Sequence, residues 1–272
     1  MKAILKVELI RAFRSKLMLF SLIVGNGIVI MYYIFSVTKY IKSFYSILNN
    51  GTTRELLSAN LCWIGTAFDN YTVLYFFIIP ILAAIPYGAS LYMDKKDGYI
   101  NNLLIKTDRK NYFFAKLITY FISGGIIATT PLILSYILAI VSLPSIRPYA
   151  ESGVYNIFSF NIFSGIYFSN YTFIYIIIFI AFDFILFGLI NCLCMIFTYW
   201  EENRFAIVLT PFIICYGLHM VGQYFIGTDK TPLTYARLNE VSSDDLIYII
   251  GELLILVFLA FFSLRKGKKD VL

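Results

Sequence analysis

The stretch Tyr92–Ile118, YMDKKDGYINNLLIKTDRKNYFFAKLI, carries nine charged side chains between two apolar runs. They are Asp94, Lys95, Lys96, Asp97, Lys106, Asp108, Arg109, Lys110 and Lys116. The chain around it is of the opposite character. Of its 272 residues 60% are hydrophobic and 14% charged, whereas a soluble domain carries about 25% charge. Such a chain reads as an all-α, multi-span membrane protein in which the charged stretch joins two spans. The 22 Tyr and 26 Phe fit, because aromatic rings favour the membrane–water boundary. The net charge of +6 does not point to nucleic acid, since the basic residues stand beside apolar spans and form no separate basic domain.

Six apolar runs are long enough to cross a bilayer, which takes about 20 helical residues. They lie near Leu17–Thr38, Thr72–Met93, Phe113–Leu143, Tyr171–Thr198, Phe205–Ile226 and Asp245–Leu264. Pro80 and Pro86 are candidate kinks in the second, and Gly124, Gly125 and Pro131 in the third. The chain shows no repeat, linker or soluble domain, so residues 1–272 read as one transmembrane unit. The basic start and first apolar run read as a retained helix rather than a signal peptide, because the run has the length of a full span.

The flanks Met1–Lys16, Asp94–Lys116, Tyr199–Arg204 and Arg265–Leu272 hold 16 of the 22 basic residues. The opposite flanks hold six. The positive-inside rule then puts both termini and the charged loop in the cytoplasm. Residues 1–16 read as a helix lying at the inner membrane surface, although their charges scatter round the helical wheel. On the outer side, residues 144–170 alternate aromatic and small polar residues over Gly153–Tyr171 and read as an outer-leaflet or re-entrant segment. Arg54–Phe68 reads as a second outer amphipathic element.

Enzyme chemistry has little to stand on. There is no G-x-x-x-x-G-K-[ST] loop and no H-E-x-x-H, and a single His rules out a multi-His metal site. Ile122–Ile126, ISGGI, is similar to the signature loop of ATP-binding cassettes, but it lies inside an apolar span and reads as a close helix contact. Cys62, Cys192, Cys194 and Cys215 form no zinc pattern and read as small apolar packing residues.

Within the charged loop, residues 94–112, Asp97-Gly98 breaks the backbone. A short helix over Tyr99–Lys106 then sets Ile100, Leu103 and Leu104 on one side. Thr107 or Asp108 caps the helix that leads into the third span. A short cytoplasmic helix with an apolar face suits a groove on a partner; a solvated positive-inside loop needs none.

These residues resemble the intracellular loop of permease subunits of ABC exporters of the type 2 family, also called type V. There an acid-x-x-acid-Gly stretch precedes a leucine-bearing coupling helix, then a Ser/Thr/Pro with an Arg, then a Lys opening the next span. The matching positions are Asp94, Asp97, Gly98, Leu103, Leu104, Thr107, Arg109 and Lys116. The layout is similar too, with an N-terminal interfacial helix, six spans, both ends inside and an outer re-entrant region. Two features depart from the family: Asp stands where Glu is frequent, and the connection before the last span, Gly227–Asp245, is short and polar, which implies a reduced outer plug. The resemblance implies a multi-pass subunit of a bacterial plasma membrane, paired with a second permease. It implies no cofactor on this chain, ATP and Mg²⁺ being bound by separate cytoplasmic ABC ATPase subunits. The implied cargo is hydrophobic or amphipathic, an antimicrobial-type peptide first, a lipid or drug second. An ATP-independent sensor or channel and a membrane enzyme are the rival classes.

Polar residues at membrane depth mark candidate pathway positions. They are Asp183, Glu252, His219 and Asn191, with Asn26 and Gln223 beside them. An ionised acid there costs roughly 2.5–3.5 kcal/mol or more, so it faces protein or water. Asp183 and Glu252 are protonated, paired with His219, facing a cavity for a cationic substrate, or hydrogen-bonded in packing. The orientation is testable with single cysteines in a Cys-free chain. Membrane-impermeant maleimide added outside is expected to label Asn49–Thr53 and Gly227–Thr231 positions and to miss positions 106 and 268. External labelling at 106 overturns the topology.

Overall fold

The computed structural model describes residues 1–42, 58–105, 107–150, 156–227 and 230–269. Most of these residues are helical, with one isolated antiparallel bridge between Asn161 and Ser242 in place of any sheet among them. In chain order the helices are α1 (Lys2–Phe13), α2 (Lys16–Tyr32), α3 (Asn70–Ala84), α4 (Ser90–Lys96) and α5 (Tyr99–Leu104). Then come α6 (Arg109–Ser142), α7 (Ser164–Tyr167), α8 (Thr172–Phe197), α9 (Arg204–Val221), α10 (Pro232–Tyr235) and α11 (Leu246–Lys269). Helices α2 and α9 are each prolonged by a π-helical turn, Tyr33–Val37 and Gly222–Ile226.

Five helical stretches are long and apolar enough to cross a membrane: Lys16–Lys42, Arg109–Ser142, Thr172–Phe197, Arg204–Phe225 and Ser243–Gly267. The expected second span, Thr72–Met93, is not one helix. It stops as α3, 15 residues long, turns, and resumes as the seven-residue α4. Pro86, which has no N–H to give to the Leu82 carbonyl, lies in the turn between them and weakens the helix there. Pro80 is tolerated inside α3.

The opened turn is closed by one side chain. The Tyr120 hydroxyl donates to the Gly88 carbonyl at 3.1 Å and accepts from the Leu91 N–H at 3.2 Å. The Ser90 hydroxyl adds a bond to the same oxygen at 3.3 Å. A buried backbone group without a partner costs free energy, so Tyr120 makes the break possible inside the protein.

Helices α6 and α8 form the most extensive helix pair. Glycines let their backbones approach. A Cβ on Gly124 would lie 2.6 Å from Asn191 Cβ, and one on Gly188 2.8 Å from the Phe121 ring. The third span is one helix: α6 runs 34 residues with Pro131 inside it.

Two apolar clusters result. The larger is built round Trp63, Tyr75, Phe179 and Phe187, the smaller round Ile4, Leu91, Ile100, Tyr112, Tyr120 and Leu264. The smaller lies at the end of the bundle where the basic flanks meet: Arg109 Nε donates to the Gly267 carbonyl at 2.9 Å, and Lys266 lies over the Trp200 ring.

At the opposite end the three connections interlock. Ala59 N–H donates to Pro144 O at 3.0 Å, Ile162 N–H to Val241 O at 2.9 Å, and Ser243 N–H to Phe160 O at 2.9 Å. Residues 58–68 are turns rather than an amphipathic helix, held by the fully buried Trp63 ring edge-on to Tyr136 and Phe179; positions 54–57 lie outside the described residues. Residues 144–150 and 156–170 are irregular apart from α7. The last connection, expected to be a reduced polar loop, buries Tyr235, Ala236, Leu238 and Val241.

Tyr120→Phe keeps the ring and removes the hydroxyl that closes the α3–α4 turn. It is expected to cost about 1–3 kcal/mol for the orphaned backbone groups, read as a lower midpoint of thermal unfolding in detergent. An unchanged midpoint would show that the turn closes without Tyr120.

Candidate functional site

The charged loop is anchored from within. Asp94, the first acid of the loop, is 2% exposed. Arg11 Nη2 donates to its Oδ1 at 2.7 Å, Lys116 Nζ reaches its Oδ2 at 2.7 Å, and the Tyr112 hydroxyl donates to Oδ2 at 2.6 Å. Glu8, fully buried, completes the group. Its Oε1 accepts from Arg11 Nη1 at 3.0 Å and its Oε2 faces Lys116 Nζ at 3.0 Å, while the Tyr87 hydroxyl also donates to Oε2. Two carboxylates and two cations are therefore held together by α1, α4 and α6, and their formal charges cancel.

Local sequence explains each placement. Glu8 and Arg11 stand three apart on α1, close enough to meet on one helix face. Ser15 caps α2 by accepting from Met18 N–H at 3.0 Å, which turns the chain sharply after α1. Lys116 lies two turns into α6, with its ammonium 4.7 Å from the Tyr87 ring centroid and 5.7 Å from that of Tyr112. Arg11 lies over Tyr99. A buried ion costs several kcal/mol unless it is paired and hydrogen-bonded, and here every charged atom has a partner.

The electrostatics follow from this pairing. Burial alone would raise the Asp94 carboxyl, but the hydrogen bonds and charges of Arg11 and Lys116, with the Tyr112 hydroxyl, outweigh it and hold it below the usual carboxylate value. Burial alone would lower the Arg11 guanidinium; its bond to Asp94 and the charges of Glu8 and Asp94 raise it instead.

The other loop residues fall into two sets. Asp97 is exposed, and Gly98 adopts the left-handed conformation at φ 66°, where glycine carries no Cβ penalty. Helix α5 spans six residues and ends at Leu104, short of Lys106, which lies outside the described residues. Its apolar face does not point outward. Ile100 is buried, and Leu103 and Leu104 are half-buried against the smaller cluster. The exposed apolar residue is Ile105, 85% open. It borders a shallow cleft of about 670 Å³ with Leu104, Thr107, Asp108 and Arg109.

Neither expected cap forms through its side chain: Asp108 stands at the N-cap of α6 without a capping bond. The Thr107 hydroxyl donates instead to the Leu103 carbonyl at 2.9 Å.

The four intramembrane candidates are not brought together. Asp183 is fully buried, and neither of its carboxyl oxygens has a hydrogen-bond partner among the described residues. Glu252 is half-buried with Oε1 unpartnered. Neither acid pairs with His219, whose Nδ1 is 2.9 Å from Thr231 Oγ1. Asn191 is used between helices, its amide donating to the Tyr120 carbonyl at 2.7 Å. No group of three metal-ligating side chains occurs among the described residues.

Sequence reasoning missed Glu8, Arg11 and the tyrosines Tyr87, Tyr112 and Tyr120. A signal was present: Glu8 is the only acid before Glu55, in a basic segment, three residues from an arginine. Comparison with family models, curated proteins and solved structures gives no match to this chain.

Lys116→Met leaves two buried carboxylates facing one guanidinium and is expected to cost about 3–5 kcal/mol. Adding Glu8→Gln restores the charge balance and is expected to recover a large part of it. Thermal unfolding in detergent separates the two, and equal losses would show that charge balance is not what holds the site. Because the folded-state pKa of Asp94 is depressed, its stabilisation is complete above about pH 4. It is lost as pH falls through the depressed value. Asp94→Asn is expected to remove that acid limb.

Proposed function

We propose that this chain is the membrane subunit of an ATP-driven exporter of the type 2 ABC class. A second permease and two cytoplasmic ATPase subunits, which bind ATP and Mg²⁺, complete it. On this reading both termini lie in the cytoplasm of a bacterial cell. The broken α3–α4 pair serves as the second of six crossings, α1 lies at the inner surface, and α5 is the coupling helix. The supporting observation is the ion cluster. The acid that opens the loop motif, Asp94, is tied to Lys116 at the start of the next span and to the N-terminal helix. A thrust on α5 then reaches α1 and α6 together rather than being absorbed by a loose loop.

The contact with the ATPase is assigned to Ile105 and the cleft beside it, which Leu104 also lines, because Ile100 is buried and Leu103 packs against the smaller cluster. The cargo is a cationic amphipathic peptide. The unpartnered carboxyl oxygens of Asp183 and Glu252 support that reading, since an acid at this depth offsets the cost of bringing positive charge into the bundle.

Ile105→Asp is expected to abolish co-purification with the ATPase, or to uncouple its hydrolysis from transport, without lowering the melting temperature of the permease. Leu103→Asp is expected to lower that temperature as well. Normal export by Ile105→Asp would remove this contact. With the complex in hand, Asp183→Asn and Glu252→Gln are expected to reduce peptide-stimulated ATP hydrolysis with assembly intact. Wild-type stimulation in both would take these acids out of the pathway.

A further inference from the structure

A cleft of about 180 Å³ opens at the basic end, where α3 stops before the Pro86 turn. Arg11 from α1 and Arg204 from the start of α9 both border it, with Ser90 between them and Leu17, Ile85 and Met93 as its apolar wall. We propose that this cleft holds the headgroup phosphate of an anionic phospholipid. The inference rests on the chain being a membrane protein and is independent of the exporter reading.

The charges favour an anion. Arg204 is exposed and makes no hydrogen bond or ion pair among the described residues, although Glu201 and Glu202 stand close by in sequence. Arg11 is bound on one side by Glu8 and Asp94, yet its side chain is still 38% exposed. The carboxylates behind it are already satisfied by Lys116, Arg11 and two tyrosine hydroxyls. An arriving phosphate thus meets two guanidinium groups from separate elements, and guanidinium matches phosphate geometry.

The surroundings favour a lipid as its source. From the cleft wall at Leu17, 36% exposed, the apolar surface continues one turn along α2 to Phe20, 52% exposed. Beside Arg204, Phe205 is 76% exposed. These faces suit acyl chains, while a free anion leaves them uncovered. Basic pockets between membrane helices on the positively flanked side are a recurrent way of holding acidic headgroups. A zwitterionic lipid brings its own cation to a border that is already positive.

The test uses the full chain carrying Leu17→Trp and Trp200→Phe, which places the only exposed tryptophan in the cleft. Trp63, fully buried, supplies a constant background. The protein is reconstituted in phosphatidylcholine vesicles containing rising fractions of brominated phosphatidylglycerol or brominated phosphatidylcholine. Quenching by the phosphatidylglycerol is expected to indicate a preference of at least about fivefold over phosphatidylcholine. Adding Arg204→Ala is expected to bring the two lipids towards equality, and Arg204→Lys to keep part of the preference. Equal quenching by both lipids overturns the proposal, as does a preference that survives Arg204→Ala. Absence of quenching by either overturns it too, since the cleft is then covered by protein, such as a second copy of the chain.

Discussion

Burying four ions at one end of a membrane bundle is possible only if every one of them is answered, and that requirement shapes this protein. Glu8, Arg11, Asp94 and Lys116 come from three helices that also share the smaller apolar cluster. None can leave without stranding a partner in a low-dielectric site. Tyrosines serve as both wall and ligand: Tyr87 and Tyr112 donate to the carboxylates, and their rings lie near the Lys116 ammonium. The cluster contributes less to net stability than its bond count suggests, because desolvation offsets much of the attraction. Its effect is one of specification, since alternative dockings of α1 or α4 leave charges unpaired.

The break between α3 and α4 depends on the same region. The chain leaves helix round Pro86, and Tyr120, one turn beyond Lys116 on α6, satisfies the groups set free. The resumed turn then delivers Asp94 to the cluster. A straight second span carries Asp94 in a different direction. The tight α6–α8 contact fixes Tyr120 in turn, since Asn191 bonds to its backbone carbonyl. Helix contact, backbone break and ion cluster form a single chain of dependence.

The apolar runs were legible in the sequence because length and hydropathy suffice for them, and five appear as long helices. The Gly98 break was legible because a left-handed residue beside Asp97 suits glycine. Pro86 was seen as a kink but not as an end, because its effect depended on Tyr120 far along the chain. The helical wheel of α1 showed scattered charges, and that averaging hid Glu8 and Arg11, whose placement is set by partners 79 residues or more away. The apolar side of α5 was read correctly as a face, but its direction was not in the pattern. A stripe of Ile100, Leu103 and Leu104 looks the same whether it meets a partner or its own bundle.

The distance in sequence between the members of the cluster sets an order of assembly during synthesis. Glu8 and Arg11 leave the ribosome first and have only each other, three residues apart. Asp94 follows more than eighty residues later, and Lys116 later still. At about 5–20 residues per second the nascent α1 waits several seconds for the cation that neutralises Glu8. Until then its Glu8 and Arg11 lack the partners that α4 and α6 bring. The N-terminal helix, first to be made, is thus among the last to be locked.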